Sequence, residues 1–181
     1  MKNVTILHGA NETPKSFWLP YVKKELQIKG YDVWIPQLPG KNDPDIKVNL
    51  PFALNGGKFT NETIIVGRSA GCPLALSLLE HINIRIKMVI LVAGYVTPLP
   101  GAANRILQNN YNWKRIRQNV EEIIFINSDN DPWGCDIKQG RLMLDQLGGM
   151  LIIPKGEGHF GSDTFNQPYK MFPFLVRLIQ K

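Results

Sequence analysis

Between Thr63 and Leu74 the chain reads Thr-Ile-Ile-Val-Gly-Arg-Ser-Ala-Gly-Cys-Pro-Leu. Four β-formers run into a Gly-x-Ser-x-Gly pentapeptide, and Pro73 with an apolar, Leu- and Ala-rich run follows it. A strand that passes straight into a helix needs a very sharp turn. Gly67 and Gly71 make room for one, because neither carries a Cβ to meet the neighbouring backbone. Pro73 suits the first turn of the helix, where its missing N–H matters least. Ser69, at the apex, is predicted to have a strained backbone and a hydroxyl exposed at the tip of a sheet, the geometry of a nucleophile elbow. The competing reading is a glycine-rich turn that happens to contain a serine, so the partners of Ser69 decide the matter.

The rest of the chain reads as strands and helices in alternation. Apolar, β-branched runs predict strands at Val4–Leu7, Tyr31–Ile35, Ile64–Val66, Met88–Ala93, Ile123–Ile126 and Leu151–Ile153. Trp18, Val22 and Leu26 fall on one helical face, with Pro20 near the start and Gly30 after the end. Further helices are expected over Pro73–His81, Trp113–Asn119, Ile137–Leu147 and Pro168–Gln180, with Pro173 starting or kinking the last. Residues 40–60 read poorly: Asp43-Pro44 opens a helical pattern, but Pro51 and Gly56-Gly57 argue against a long helix. The pattern predicts an α/β fold, one domain over residues 1–181. Its mainly parallel sheet should have five to six strands, with helices on both faces.

The chain has 181 residues, 44% hydrophobic and 20% charged, as an ordinary globule does. A net charge of +6 raises nucleic acid as a partner, but the basic residues are scattered, and a solvated basic surface is the better reading. Met88–Val96, the longest apolar run, is too short to span a bilayer. A strand almost at the first residue argues against a signal peptide, and two cysteines, Cys72 and Cys135, suit a reducing compartment. A cytoplasmic location follows as the expectation, and the three Asn-x-Thr sequons are set aside with it. Three scattered histidines and two distant cysteines give no metal-ligand spacing, so neither metal nor cofactor is expected.

A serine hydroxyl is a weak nucleophile; it needs a base, and the base needs an orienting acid. In sheets of this kind the acid and then the base follow the serine, each in a loop after a later strand. His159 leaves the last strand between Gly158 and Phe160 and is the candidate base. His8 adjoins the first strand and is read as shaping its loop, and His81 ends the elbow helix. Asp129, Asp131 and Asp136 share the loop after Ile126. Asp131 is favoured as the acid because Pro132 biases it toward extended geometry, with Asp129 as a turn-forming alternative. A tetrahedral intermediate also needs two N–H donors. Ala70 supplies one, and the loop after His8-Gly9 supplies the other through Ala10, with Asn11 in reserve.

With these pieces in order, the chain resembles the small serine hydrolases of the retinoblastoma-binding protein 9 type, a branch of the α/β-hydrolases without a cap domain. The resemblance spans nearly the whole chain. It rests on Trp18 to Leu26, Leu38-Pro39, Asp43-Pro44, the elbow at Thr63–Gly71, Val89–Tyr95, Asn112-Trp113-Lys114, Asp131-Pro132 and Gly158-His159-Phe160. It implies a Ser69–His159–Asp131 triad and esterase-like activity on a small acyl substrate. Three departures stand out. Arg68 replaces a histidine common before the nucleophile, residues 45–60 lack the expected tryptophan and helical character, and Pro173 interrupts the last helix.

The leading expectation is therefore a serine hydrolase acting on a small ester through an acyl-enzyme. A thioesterase or peptidase on the same triad is the alternative, and a protein-interaction module with incidental activity is the reading from another class. The stretch from Ala93 to Trp113 is too short for a helical cap, which predicts a shallow cleft. Asn11, Arg68 and Tyr95 are its candidate substrate contacts. Phe17 is a possible aromatic wall, and Trp18 is more plausibly core.

Overall fold

The computed structural model describes residues 2–181. Six strands, β1 (Asn3–Leu7), β2 (Asp32–Trp34), β3 (Thr63–Arg68), β4 (Ile86–Val92), β5 (Val120–Ile126) and β6 (Met150–Ile152), form one sheet in the order β2-β1-β3-β4-β5-β6. Every pairing is parallel. The central strands are buried along almost their whole length, which is why β3 and β4 read as continuous apolar runs rather than as alternating ones.

The helices α1 (Leu19–Ile28) and α6 (Pro173–Ile179) pack together. The others, α2 (Ile46–Gly56), α3 (Gly71–His81), α4 (Trp113–Gln118) and α5 (Ile137–Leu147), pack in succession as a second layer, α2 on α3, α3 on α4 and α4 on α5. The result is the three-layer α/β sandwich of the α/β-hydrolases. No cap covers the carboxyl ends of the strands: residues 93–112 hold only the 3-10 turn Asn104–Ile106. No described helix is long and apolar enough to cross a membrane.

Residues 40–60 correct the sequence reading. An eleven-residue helix, α2, runs through Pro51 and ends on Gly56. Its start is doubly capped. The Asp45 carboxylate accepts from the Lys47 N–H at 2.9 Å, and the Asn49 side-chain oxygen accepts from the Asp45 N–H at 3.0 Å. Pro51 and Lys47 are both exposed, so the carbonyl that Pro51 leaves unbonded faces water and the helix continues. At the other end of the chain α6 begins at Pro173, not Pro168, with the proline in the first turn where the helix tolerates it.

Candidate active site

The elbow forms where β3 meets α3. Ser69 has φ 51°, a left-handed value that a residue with a Cβ adopts only under constraint. Its N–H donates to the Val92 carbonyl at 2.9 Å, and its own carbonyl accepts from the Cys72 N–H at 2.9 Å. The two glycines are obligatory for steric reasons. A Cβ on Gly67 would lie 2.8 Å from Cys72 Cα, and one on Gly71 would overlap the Leu7 carbonyl of neighbouring β1. Strain gathers here: Asn11, Phe17 and Ser69, all with positive φ, line one cavity, and Phe160, with φ 54°, follows the candidate base.

His159 Nδ1 lies 2.7 Å from Asp131 Oδ2, and His159 Nε2 lies 3.0 Å from Ser69 Oγ. A carboxylate only accepts, so the ring proton sits on Nδ1 and Nε2 is left to accept from the serine hydroxyl. The second Asp131 oxygen takes the Trp133 N–H at 2.8 Å, which fixes the carboxylate plane. Asp129 is elsewhere, with Oδ1 accepting from the Gly156 N–H at 2.7 Å. Of the two acids that the sequence left open, only Asp131 reaches the imidazole. His8 donates from Nδ1 to the Gly9 carbonyl at 2.9 Å and accepts at Nε2 from the Leu38 N–H at 3.1 Å, a loop-shaping role as expected.

The predicted donors and pocket residues meet at the same place. Ala10, Asn11, Arg68, Ser69, Ala70, Tyr95 and His159 all line a cavity of about 110 Å³ at the carboxyl ends of the strands. The Asn11 N–H is engaged by the Lys41 carbonyl at 2.7 Å, which removes it as an oxyanion donor. Among the described residues, neither the Ala10 nor the Ala70 N–H donates in a turn, loop or cap hydrogen bond. Tyr95 is buried and donates its hydroxyl to the Ala103 carbonyl at 2.8 Å, so it contributes a wall rather than a free polar group. Trp18 is core, its indole N–H donating to the Phe160 carbonyl at 3.0 Å, while Phe17 reaches the cavity.

The family model described as serine hydrolase matches residues 4–177. The chain belongs to the serine hydrolase family. Among curated relatives, this hydrolase is similar to YdeN of Bacillus subtilis, 28% identical over 90% of the chain and 87% of the relative. It is also similar to serine hydrolase RBBP9 of Rattus norvegicus, 26% identical over 96% of the chain and 90% of the relative. The crystal structure of the ydeN gene product superposes with a TM-score of 0.87 at 23% identity, covering 99% of this chain and 97% of that one.

Burial holds the His159 imidazole below its usual pKa of 6.5, with the Asp131 hydrogen bond opposing and the nearby Arg68 charge adding to the effect. At neutral pH the ring in this serine hydrolase is uncharged and able to accept a proton. Asp131, Cys135 and His159 also bring three donor atoms within 4.8 Å of one another. The facing atoms of Asp131 and His159 bond each other, however, and burial pushes the Cys135 thiol well above its usual pKa.

Three functional features escaped the sequence reading. Trp133 lines the cavity with its ring centroid 6.4 Å from that of His159, although only its place after Asp131-Pro132 hinted at it. Glu12 is 4% exposed and pairs with the buried Arg68 guanidinium. Gln167 binds the base loop, its side-chain oxygen accepting from the His159 N–H at 3.0 Å and the Gly161 N–H at 3.1 Å. No local pattern marks Glu12 or Gln167, because their partners lie far away in sequence or in a loop without periodicity.

Proposed function

We propose that this serine hydrolase cleaves a small carboxylic ester through an acyl-enzyme, acting as one domain. The observation that carries the reading is the continuous hydrogen-bonded line from Ser69 Oγ through His159 to Asp131. In this mechanism Ser69 Oγ attacks the acyl carbon while its proton passes to His159 Nε2. Asp131 holds the Nδ1–H tautomer and stabilises the imidazolium that forms. The carbonyl oxygen, now negative, is received by the Ala10 and Ala70 N–H groups. Collapse expels the alcohol, which takes the proton from Nε2. Water, deprotonated by the same nitrogen, then releases the acid.

The cavity supports a short acyl group. It is small, about 110 Å³, and is walled by Phe17, Tyr95, Trp133, Ala102 and Ala103 rather than by a cap. Each methylene that a substrate can bury contributes about 0.8 kcal/mol, and one that finds no space contributes nothing. For p-nitrophenyl esters kcat/KM is expected to peak between acetate and butyrate and to fall by octanoate. A steady rise through decanoate would reveal a deep apolar tunnel and refute the short-acyl reading. The nucleophile is tested separately: a fluorophosphonate should label Ser69, and a folded Ser69→Ala variant should lose both labelling and turnover. Retention of wild-type ester hydrolysis by that variant would end the assignment.

A further inference from the structure

Arg68 lines the cavity, and its terminal nitrogens are engaged by protein groups. Nη1 meets the Glu12 carboxylate, and Nη2 donates to the Gly161 carbonyl and, at 3.3 Å, to that of His159. Only Nε lacks a partner among the described residues. Both members of the pair are buried, Arg68 at 2% and Glu12 at 4% exposure, and the Phe17 ring lies 4.9 Å from the guanidinium carbon. The other Glu12 oxygen accepts from the Gly9 N–H at 3.0 Å. Gly9 has no room for a side chain; a Cβ there would lie 2.7 Å from Glu12 Oε1, 2.9 Å from Arg68 Nη1 and 3.0 Å from Ser69 Cβ.

We propose that Glu12 and Arg68 act as a positioning pair that aligns the oxyanion loop and the base loop on the elbow. Arg68 immediately precedes Ser69, so its main chain belongs to the elbow while its side chain holds the base loop by two carbonyls. Glu12, bound to the same guanidinium, holds the turn at Gly9 that presents Ala10. One ionic contact therefore joins the three segments that must be in register when the proton moves. A buried ion pair is a poor device for stability alone, since desolvation of two charges offsets much of their attraction. Alignment is where such a pair contributes: a misplacement of about 1 Å in a catalytic group can cost on the order of 10²-fold in rate.

The pair presupposes the Ser69 mechanism above, and its test separates the two. Wild type, Glu12→Gln, Arg68→Lys and the double variant Glu12→Gln/Arg68→Met are assayed on p-nitrophenyl acetate for kcat and KM, with melting temperature and fluorophosphonate labelling alongside. Glu12→Gln and Arg68→Lys should each lower kcat by on the order of 10²-fold while KM stays within about twofold. Lysine keeps the charge but donates from a single nitrogen, so it cannot span the carboxylate at Nη1 and the carbonyls at Nη2, and Arg68→Lys should lose rate with little change in melting temperature. The double variant leaves no unpaired buried charge, so it reads the same loss even if a single variant fails to fold. Its loss should be no greater than that of one single variant, because the residues act as a unit. Folded Glu12→Gln or double variant with kcat within threefold of wild type, or a loss confined to KM, overturns the pair. Failure of the wild type to label at Ser69 would instead overturn the nucleophile.

Discussion

The two sides of the cleft are braced by different physics. On the acid–base side every residue from Asn127 to Asp131 takes part. Asn127 donates to the Gly94 and Cys135 carbonyls at 3.0 and 2.9 Å, and Ser128 Oγ accepts from the Glu157 N–H at 3.0 Å. Asp129 and Asn130 then accept from the Gly156 and Gly158 N–H groups at 2.7 and 2.8 Å, and Asp131 holds His159 itself. On the oxyanion side the loop has neutral bonds of its own, such as the Asn11 N–H to the Lys41 carbonyl at 2.7 Å, but its side-chain link to the elbow is one ion pair, Glu12 with Arg68. Many short bonds to main-chain groups give redundancy, since each contributes about 1 kcal/mol and its neighbours hold when it is lost. A lone buried ion pair gives none.

The sharpest test of that contrast lies within the redundant side. Asp131→Asn should lower kcat by on the order of 10⁴, because the amide favours the wrong imidazole tautomer. Asp129→Asn, two residues away, should cost about 1 kcal/mol of stability and less than tenfold in rate. The opposite ranking would move the acid role to Asp129 and break the division between bracing and chemistry.

Titration gives the next largest effect. His159 and His8 are both held below 6.5 by burial, one on each side of the cleft. His159 must be neutral to accept a proton, so kcat/KM should hold as pH falls through 6.5 and decline about tenfold per unit only below its lowered pKa. Stability carries the same sign. The unfolded chain takes up protons at 6.5 while the folded one resists, so stability is full above 6.5 and is lost as pH falls toward the folded values. The slope should approach two protons if both rings stay neutral, about 1.4 kcal/mol per pH unit for each. A pH-independent melting temperature between 7 and 5 would mean that neither ring is buried as described. The smallest effect on rate is expected from Asn130→Ala, which removes the bonds its side-chain oxygen accepts from the Gly158 N–H and the Ser128 hydroxyl: about 1–2 kcal/mol in urea unfolding and less than tenfold in kcat. A 10²-fold loss there would show that the neutral side is as brittle as the ionic one.

Much of the fold is legible in the sequence. The elbow announced itself because two glycines are sterically required on either side of Ser69, and β3 and β4 because central parallel strands are apolar on both faces. Chemistry and chain order single out Ser69 and His159, which lie within 3.0 Å of each other. Asp131 was separable from Asp129 only weakly, since Pro132 biases backbone rather than aiming a carboxylate. What stayed hidden was whatever depends on a partner remote in sequence. Glu12, in the loop after β1, meets Arg68 at the end of neighbouring β3, and Asn49 rescues α2 by reaching back to Asp45 and across to the Pro39 carbonyl at 2.9 Å. Proline and glycine signals mislead there because they say nothing of a cap that a side chain four residues on completes.

The indole of Trp18, hydrogen-bonded to Phe160 across 142 positions, ties the start of α1 to the loop that carries His159. Tyr31 likewise donates to the Ile179 carbonyl, 148 positions on. Such contacts close only after the intervening crossovers are in place, and long closures come late because their entropy must be met first. During synthesis the elbow and its serine emerge well before the loop that carries His159. A chain that stopped short of that loop would thus hold the proposed nucleophile without the proposed base.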